Sequence, residues 1–337
     1  MALFMSQESY VIAVDLGGTN LRIASVRQDG TIENKEKLSS EARLGSEAVL
    51  KRVAQGVKVL AEKIRAKKGK IQGVSLGFPG IVDPAKGIVY QSPHFPDWKN
   101  LELLPFFKTE FPWPVVVDND ANLAALGESW KGAGKDLENF VMLTFGTGVG
   151  GGIIIDKKVF HGDRGFAGEV GHSVVDGHGP RCACGSRGCL EMYISATGIL
   201  RLVEIADDKE GLARLLNHLG CSLERLTVRH LYEAALDGDI FAHGTFKKMG
   251  YYLGIGLASL VNTLGIETFV LGGGVSEAWD FFIHAAKKEL SERTYRETAS
   301  HVILKKAELG DDAALVGGAA KLGGFSRGMA LSQQPLA

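Results

Sequence analysis

The chain has 337 residues, enough for two domains of ordinary size, and its 45% hydrophobic and 23% charged residues are the balance of a soluble globular protein. A formal net charge of -1 without a long basic run argues against nucleic acid and anionic membrane as partners. No apolar stretch reaches the roughly 18 residues of a membrane span. The opening MALFMSQES has neither the basic region nor the apolar core of a secretory signal. Three of the four cysteines are crowded into one short stretch, which suits a metal site in a reducing compartment, so a cytoplasmic location is expected.

Tyr10 to Leu16 (YVIAVDL) is an apolar, β-branched run that predicts a buried strand. It breaks at Gly17-Gly18-Thr19-Asn20, returns as Leu21 to Arg27, and turns again at Asp29-Gly30. Two glycines in the first turn permit positive φ and remove Cβ atoms, so backbone N–H groups can line an anion. Asp15 is then a candidate magnesium ligand, directly or through water, and Thr19 and Asn20 can hydrogen-bond phosphate oxygens. An ordinary hairpin uses the same residue types, and this turn alone does not choose between the two readings.

Glu47 to Lys67 is amphipathic, with Val49, Leu50, Val53, Val57, Leu60 and Ile64 on one face and Gly69 as its stop. The basic patch Lys63 to Lys70 falls at the end of that helix, where it complements the dipole. Ile71 to Leu76 predicts a strand running into the turn Gly77-Phe78-Pro79-Gly80. Ser92 to Asn100 (SPHFPDWKN) reads as a proline-bearing loop with aromatic side chains. Such a loop can wall a flat ligand face, but more often it only connects elements.

Val115 to Val117 predicts a short strand and Ala121 to Trp130 a helix, so Asp118, Asn119, Asp120 and Asn122 crowd their junction. Asn119 or Asp120 can simply be the N-cap. Alternatively Asp120, kept ionised by the helix dipole, accepts a hydroxyl proton weakly. A weak base suffices for phosphoryl transfer, whose loose transition state demands alignment and charge neutralisation.

Phe140 to Gly152 repeats the opening plan: an apolar strand, a turn at Gly146-Thr147-Gly148, a return strand over Val149 to Ile155, and a turn at Asp156-Lys157-Lys158 into a third strand. Two copies suggest a duplicated domain with a cleft between the halves, whose paired turns could grip opposite ends of a polyphosphate.

Glu169 to Glu191 (EVGHSVVDGHGPRCACGSRGCLE) then places His172, Cys182, Cys184 and Cys189 at a spacing of nine, one and four intervening residues. Three thiolates and an imidazole make a closed tetrahedral set suited to structural zinc. The interleaved Gly177, Gly179, Pro180, Gly185 and Gly188 favour a loop that a metal can fix without an apolar core of its own. A disulfide between Cys182 and Cys184 would be strained by its single intervening residue. Glu169 and Glu191 bracket the ligands, so the metal would hold polar side chains in place.

Helices follow at about 195–206 and 227–237, then a long apolar helix from Thr245 to Leu264 whose Gly250, Gly254 and Gly256 suggest close packing. Ile266 to Leu271 predicts a strand ending in Gly272-Gly273-Gly274, a turn that invites a nucleotide, before a helix from Ser276 to Leu290. Asp311 to Leu322 predicts a final helix, and Gly324 to Ala337 a frayed tail.

DLGGTN at 15–20, NDAN at 119–122, FGTGVGGG at 145–152 and the 169–191 segment together resemble the ROK family of the actin and hexokinase superfamily, over about residues 10 to 325. The resemblance implies a two-domain α/β, actin-like (ribonuclease H-like) ATPase fold with an inter-domain cleft and a zinc loop. Its N-terminal domain would span 1–118, completed by the C-terminal helix at about 311–325. The second domain would span 119–310 and carry the zinc loop, leaving a flexible tail at 326–337. By position, Asp120 matches the catalytic base for the sugar 6-hydroxyl. Gly80, Asn119, Asp120, Glu169, His172 and Glu191 match the sugar site, with His172 using one ring nitrogen on zinc and offering the other to the sugar. Asp15, Gly17, Gly18, Thr19, Asn20, Gly146 and Thr147 match the phosphate and magnesium turns; Gly272, Gly273, Gly274 and the pair Gly317-Gly318 fall where adenosine is held.

The expectation is therefore an ATP- and Mg2+-dependent hexose 6-kinase with structural Zn2+. Glucose is the first substrate because NDANLAALGE resembles the glucokinase branch; a kinase of N-acetylmannosamine or another amino sugar is the alternative. His94 departs from the Asn more usual in that loop and bears on which hexose is preferred. DLGGTN begins at residue 15, so a preceding helix-turn-helix, and with it a DNA-binding repressor, is not expected. An actin-like ATPase without a small acceptor is disfavoured by the zinc loop. Near-neutral charge gives no basic track for polyphosphate in place of ATP. A homodimer is the family expectation.

Overall fold

The computed structural model describes residues 7–92 and 95–322. In chain order, β1 (Ser9–Leu16), β2 (Asn20–Arg27) and β3 (Ile32–Ser39) form an antiparallel meander, and helix α1 (Ser46–Ala66) crosses to β4 (Lys70–Phe78), parallel to β1. A small antiparallel sheet follows, made of β5 (Ile81–Asp83), β6 (Ile88–Ser92) and β7 (Phe95–Glu102). Then come α2 (Leu103–Glu110), β8 (Val115–Asn119) and α3 (Asp120–Lys131). The second copy begins with β9 (Phe140–Phe145), β10 (Val149–Ile155) and the two-residue β11 (Lys158–Val159). Beyond the cysteine segment lie α4 (Glu191–Ile194), α5 (Ala196–Glu204), α6 (Lys209–Leu219), α7 (Val228–Leu236) and α8 (Ile240–Leu264). The chain continues through β12 (Thr268–Gly272), α9 (Trp279–Arg293), α10 (Arg296–Ala299), β13 (Ile303–Lys306) and α11 (Ala313–Lys321).

The repeat read from the glycine turns is structural. One sheet runs β3-β2-β1-β4-β8 and the other β11-β10-β9-β12-β13, the same order in each. In both, the last three strands of that order run parallel (β1, β4, β8 and β9, β12, β13). Contacts gather the chain into two compact units. Of the described residues, one unit holds those within 7–138, 152–168 and 308–322, the other 139–151 and 169–307. Where the sequence reading divided the chain after residue 118, α3 belongs with the first unit because it packs on α11. The crossing is close enough that a methyl group on Gly127 would overlap the Ala313 carbonyl, and one on Gly317 the Leu123 carbonyl.

The first sheet is covered on both faces. Val49, Leu50, Val53, Val57, Leu60 and Ile64 of α1 are buried with Ile12, Val14 and Leu76. On the opposite face Val11, Ala13, Ala24 and Val26 pack on Leu315 and Ala319 of α11. In the second unit α8 lies against α9, where substituents on Gly250 and Gly254 would strike the carbonyls of Phe282 and Ala286.

Some expectations are corrected. SPHFPDWKN is a strand from Phe95 onward rather than a loop. Phe95 and Trp98 stack at 4.2 Å and are buried in the first unit's core, so they wall no ligand. The helix expected from Ser276 starts as a 3₁₀ turn over Gly274–Ala278 and becomes α only at Trp279. At the end of α1 it is Lys68, at φ 61, that takes the left-handed position, while the Gly69 N–H closes on the Ile64 carbonyl at 2.9 Å. Helix α6 and strand β13 were not anticipated. His94 and the 326–337 tail lie outside the described residues.

Candidate functional site

In the first unit, the predicted residues sit at the carboxyl ends of the parallel strands β1, β4 and β8, the edge where open α/β sheets hold ligands. Asp15 pairs in register with Gly77, and Gly77 with Asp118. Asp15 is buried, and its Oδ2 accepts from Arg22 Nη1 at 3.0 Å; Arg22 in turn reaches Asp311 at 2.8 Å. Burial pushes the Asp15 carboxyl up, Arg22 works against it, and the net direction is upward. Arg22 was missed by the sequence reading, although its place seven residues on, across a hairpin, was available as a signal.

The glycines of the two predicted phosphate turns do not act through positive φ. Gly17 N–H donates to the Asn20 carbonyl at 2.8 Å, and Gly146 N–H to Gly148 at 2.9 Å. A Cβ on either would meet nothing nearer than 3.6 Å or 3.9 Å, respectively, so the space beside both is open. The protein's own packing does not demand glycine there.

Asn119 is the N-cap of α3: its Oδ1 accepts from the N–H groups of Ala121 at 2.8 Å and Asn122 at 3.1 Å. Its Nδ2 donates to the Gly80 carbonyl at 2.9 Å, which ties the 77–80 turn to the helix start. Gly80 itself has φ 101 and lies against the backbone of Gln91 and Ser92. Asp120 is the first residue of α3, at the positive end of the helix.

Beneath this junction Asp118 is completely buried. Its Oδ2 accepts from Lys321 Nζ at 2.6 Å and lies 2.9 Å from His161 Nε2. Its Oδ1 accepts from Asn119 N at 2.8 Å and Asn122 Nδ2 at 3.1 Å. Burial alone would raise this carboxyl, but His161 and Lys321 outweigh it and lower it to about 2.

In the second unit, the ligating atoms of His172, Cys182, Cys184 and Cys189 all lie within 4.8 Å of one another. Cys184 and Cys189 Sγ are 3.7 Å apart, and Cys182 Sγ is 3.6 Å from His172 Nδ1. Tetrahedral zinc with Zn–S of about 2.3 Å and Zn–N of about 2.0 Å needs S···S edges of about 3.8 Å and S···N edges of about 3.5 Å. The donor set therefore fits zinc in both chemistry and size. Burial pushes the Cys189 thiol up to about 12 and raises Cys182 as well, whereas at Cys184 burial is outweighed by the Ser186 N–H and the neighbouring thiols and the direction is downward; a bound cation would favour the thiolate at all three.

His172 presents Nδ1 to the cluster, leaving Nε2 3.8 Å from Glu169 Oε2. Burial raises the Glu169 carboxyl, with His172 opposing and Glu191 adding to the rise. Glu191 is an anchor as well as a candidate ligand, since its Oε2 accepts from Val149 N at 2.8 Å and so joins the cysteine segment to the 146–148 turn. Gly273, at φ 85, packs on the Phe145 backbone, which brings the 272–274 turn against that same turn. By contrast Gly317 and Gly318 are buried in helix packing and present no backbone to a nucleotide.

A match to the ROK family model covers residues 11–322. The chain belongs to the ROK family. Among its ROK relatives, the glucokinase of Halalkalibacterium halodurans is 36% identical over 320 residues, covering 93% of this chain and 94% of that protein. The xylose repressor of Bacillus subtilis is 26% identical over 320 residues, 94% of this chain and 78% of the repressor. A ROK glucokinase from Streptomyces griseus, solved in complex with glucose and AMPPNP, superposes with a TM-score of 0.77 at 31% identity, covering 93% of this chain and 98% of that one. The fold is thus the two-part, actin-like α/β architecture of the family, with a cluster of one histidine and three cysteines suited to zinc. Among the described residues no helix is long and apolar enough to cross a membrane.

Proposed function

We propose that the protein is an ATP- and magnesium-dependent hexose 6-kinase with glucose as its first substrate. The observation that carries this reading is the setting of Asp120. It is a carboxylate at the first position of a helix, with its N-cap hydrogen-bonded to a neighbouring turn, at the carboxyl ends of three parallel strands. Similarity to a glucokinase along nearly the whole of both chains supports the substrate.

In this reading Asp120 accepts the proton of the sugar 6-hydroxyl as that oxygen attacks the γ-phosphorus, and the bond from phosphorus to the β–γ bridging oxygen breaks to release ADP. The positive end of α3 favours the carboxylate, and a weak base is enough for a loose phosphoryl transition state. Asn119, Glu169, His172 and Glu191, with the backbone at Gly80, hold the remaining hydroxyls. The open space at Gly17 and Gly146 admits phosphate oxygens close to the backbone, with Gly18, Thr19, Asn20 and Thr147 beside it, and the turn at Gly272–Gly274 borders the nucleoside. Magnesium, when bound with ATP, neutralises charge on the phosphates, and Asp15 is the residue that would hold it. His172, Cys182, Cys184 and Cys189 would hold zinc, which would fix the segment that carries the sugar ligands. Domains, homodimerisation and cytoplasmic location follow the family pattern in this reading.

A second reading, sugar sensing without phosphorylation, is favoured by the repressor relatives. A coupled assay across glucose, mannose, fructose, xylose and the N-acetyl hexosamines, with ATP and magnesium, separates the two. Glucose-dependent ADP formation is expected. ADP formation with an amino sugar alone moves the substrate. Binding of a sugar without turnover of any sugar overturns the kinase.

A further inference from the structure

We propose that Lys321 and His161 are positioning residues for Asp120, acting through the buried carboxylate of Asp118; this inference rests on the kinase reading above. The three side chains come from β8, from the segment after β11 and from the end of α11, 43 and 203 residues apart in sequence. All lie within the first unit.

Asp118 links two tasks. One oxygen faces the cations, with Lys321 at 2.6 Å and His161 at 2.9 Å. The other holds the start of α3, through the Asn119 N–H at 2.8 Å and the Asn122 side chain at 3.1 Å. A carboxylate with no exposed surface carries a large desolvation cost unless its partners are all present. Without Lys321 the group would rotate, protonate or draw in water. Each response releases Asn119 and Asn122, the two residues that flank Asp120 and its neighbour Ala121. Misplacement of a reacting group by a fraction of an ångström is costly in phosphoryl transfer, where alignment provides most of the acceleration. Neither Lys321 nor His161 needs to touch substrate for this to hold. Both side chains are only partly exposed, at 20% and 26%, so the cations are held at the edge of the core rather than free on the surface.

The test uses the full-length, zinc-loaded protein with glucose, ATP and magnesium. Lys321→Met should lower kcat about tenfold or more, with a smaller rise in the glucose Kd measured without nucleotide, since Asn119 also faces the sugar in the kinase reading. Lys321→Arg should restore most of the turnover. In the Asp118→Asn background, Lys321→Met should add little, because the path runs through Asp118. His161→Gln, a milder change, should lower kcat in the same direction and serves if Lys321→Met fails to fold. In every variant the amides of Ala121 and Asn122 should exchange faster, a readout independent of turnover. Unchanged kcat and unchanged exchange, additive losses in the double variant, or a fall in kcat and a weakening of glucose binding that merely track a fall in melting temperature would each overturn the inference. Asp120→Asn separates the two levels. If it retains turnover, the kinase assignment fails; if it loses turnover while Lys321→Met does not, only the positioning role fails. If no sugar is phosphorylated, the amide exchange at 121 and 122 still decides the structural link.

Discussion

Two regions that the proposed reaction depends on are held in opposite ways. The start of α3 is fixed by the protein alone, through a capping asparagine, a tie to Gly80 and a buried carboxylate with four polar contacts. The 169–191 segment has almost no regular structure. It is shaped by isolated bridges (Val174 with Cys189, Arg181 with Arg187), by left-handed turns at Gly185 and Gly188, and by a cluster of ligands within 4.8 Å of one another. The first region should withstand chelators and respond to single polar substitutions; the second should do the reverse. A general base tolerates little positional error, whereas hydrogen-bonding sugar ligands can be placed by a cross-link.

The largest effect should come at the base itself. Asp120→Asn keeps the shape of the side chain and removes its basicity, so turnover should fall by about 10²–10⁴-fold with glucose binding retained. Stopped-flow or coupled assays beside calorimetry check the split, and near-normal turnover would refute the assignment. Next is the far end of the same helix. The Glu128 carboxylate, fully buried, accepts from the N–H groups of Ala133 at 2.7 Å and Leu309 at 2.8 Å, with Glu308 N at 3.0 Å. Glu128→Ala removes the charged acceptor shared by these N–H groups and should cost about 3 kcal/mol in denaturant unfolding, since hydrogen bonds to charged groups are the strong ones. On the other side of the comparison, Cys184→Ala or chelation should raise KM for glucose on the order of 10–100-fold with a smaller change in kcat. Metal analysis should find one zinc per chain in the parent and none in the variant.

What could be read from sequence follows the same division. The alternation of apolar strands with glycine turns made the duplicated sheets legible, and the spacing of His172, Cys182, Cys184 and Cys189 brought the cluster together on paper, because both are local patterns. Asn119 as N-cap was visible for the same reason. The Asp118, His161 and Lys321 network was not. Its members are single charged residues in unrelated segments, and only tertiary packing makes them neighbours. Phe95 and Trp98 misled because proline and aromatic residues in SPHFPDWKN resemble a loop, whereas Trp98 packs on Phe78 and Phe95 stacks on Trp98, which makes both core. Helix α6 carries plain signals, Asp208 as N-cap and Gly220 in the left-handed position at its end, and it could have been found. Strand β13, four residues at a sheet edge with no buried side chain, offered little to find.

The smallest expected effect sharpens the comparison through acid. In the folded chain the Asp118 carboxyl is lowered to about 2, below its ordinary 3.8. A carboxyl depressed by folding stabilises fully above its unfolded value, and the contribution disappears as pH falls through the folded one. Asp118 should therefore contribute roughly 2 kcal/mol at neutral pH, lost between about pH 4 and pH 2. Zinc thiolates also protonate on acidification, so the acid sensitivity of the parent mixes both regions. Comparing parent with Asp118→Asn, each after chelation, removes the metal from the difference and leaves the carboxylate. The parent should lose stability more steeply than the variant across that window. Parallel curves would mean that the charge on Asp118 is not what holds the start of α3, and the contrast between a self-supported base and a metal-supported sugar segment would have to be drawn on Asn119 alone.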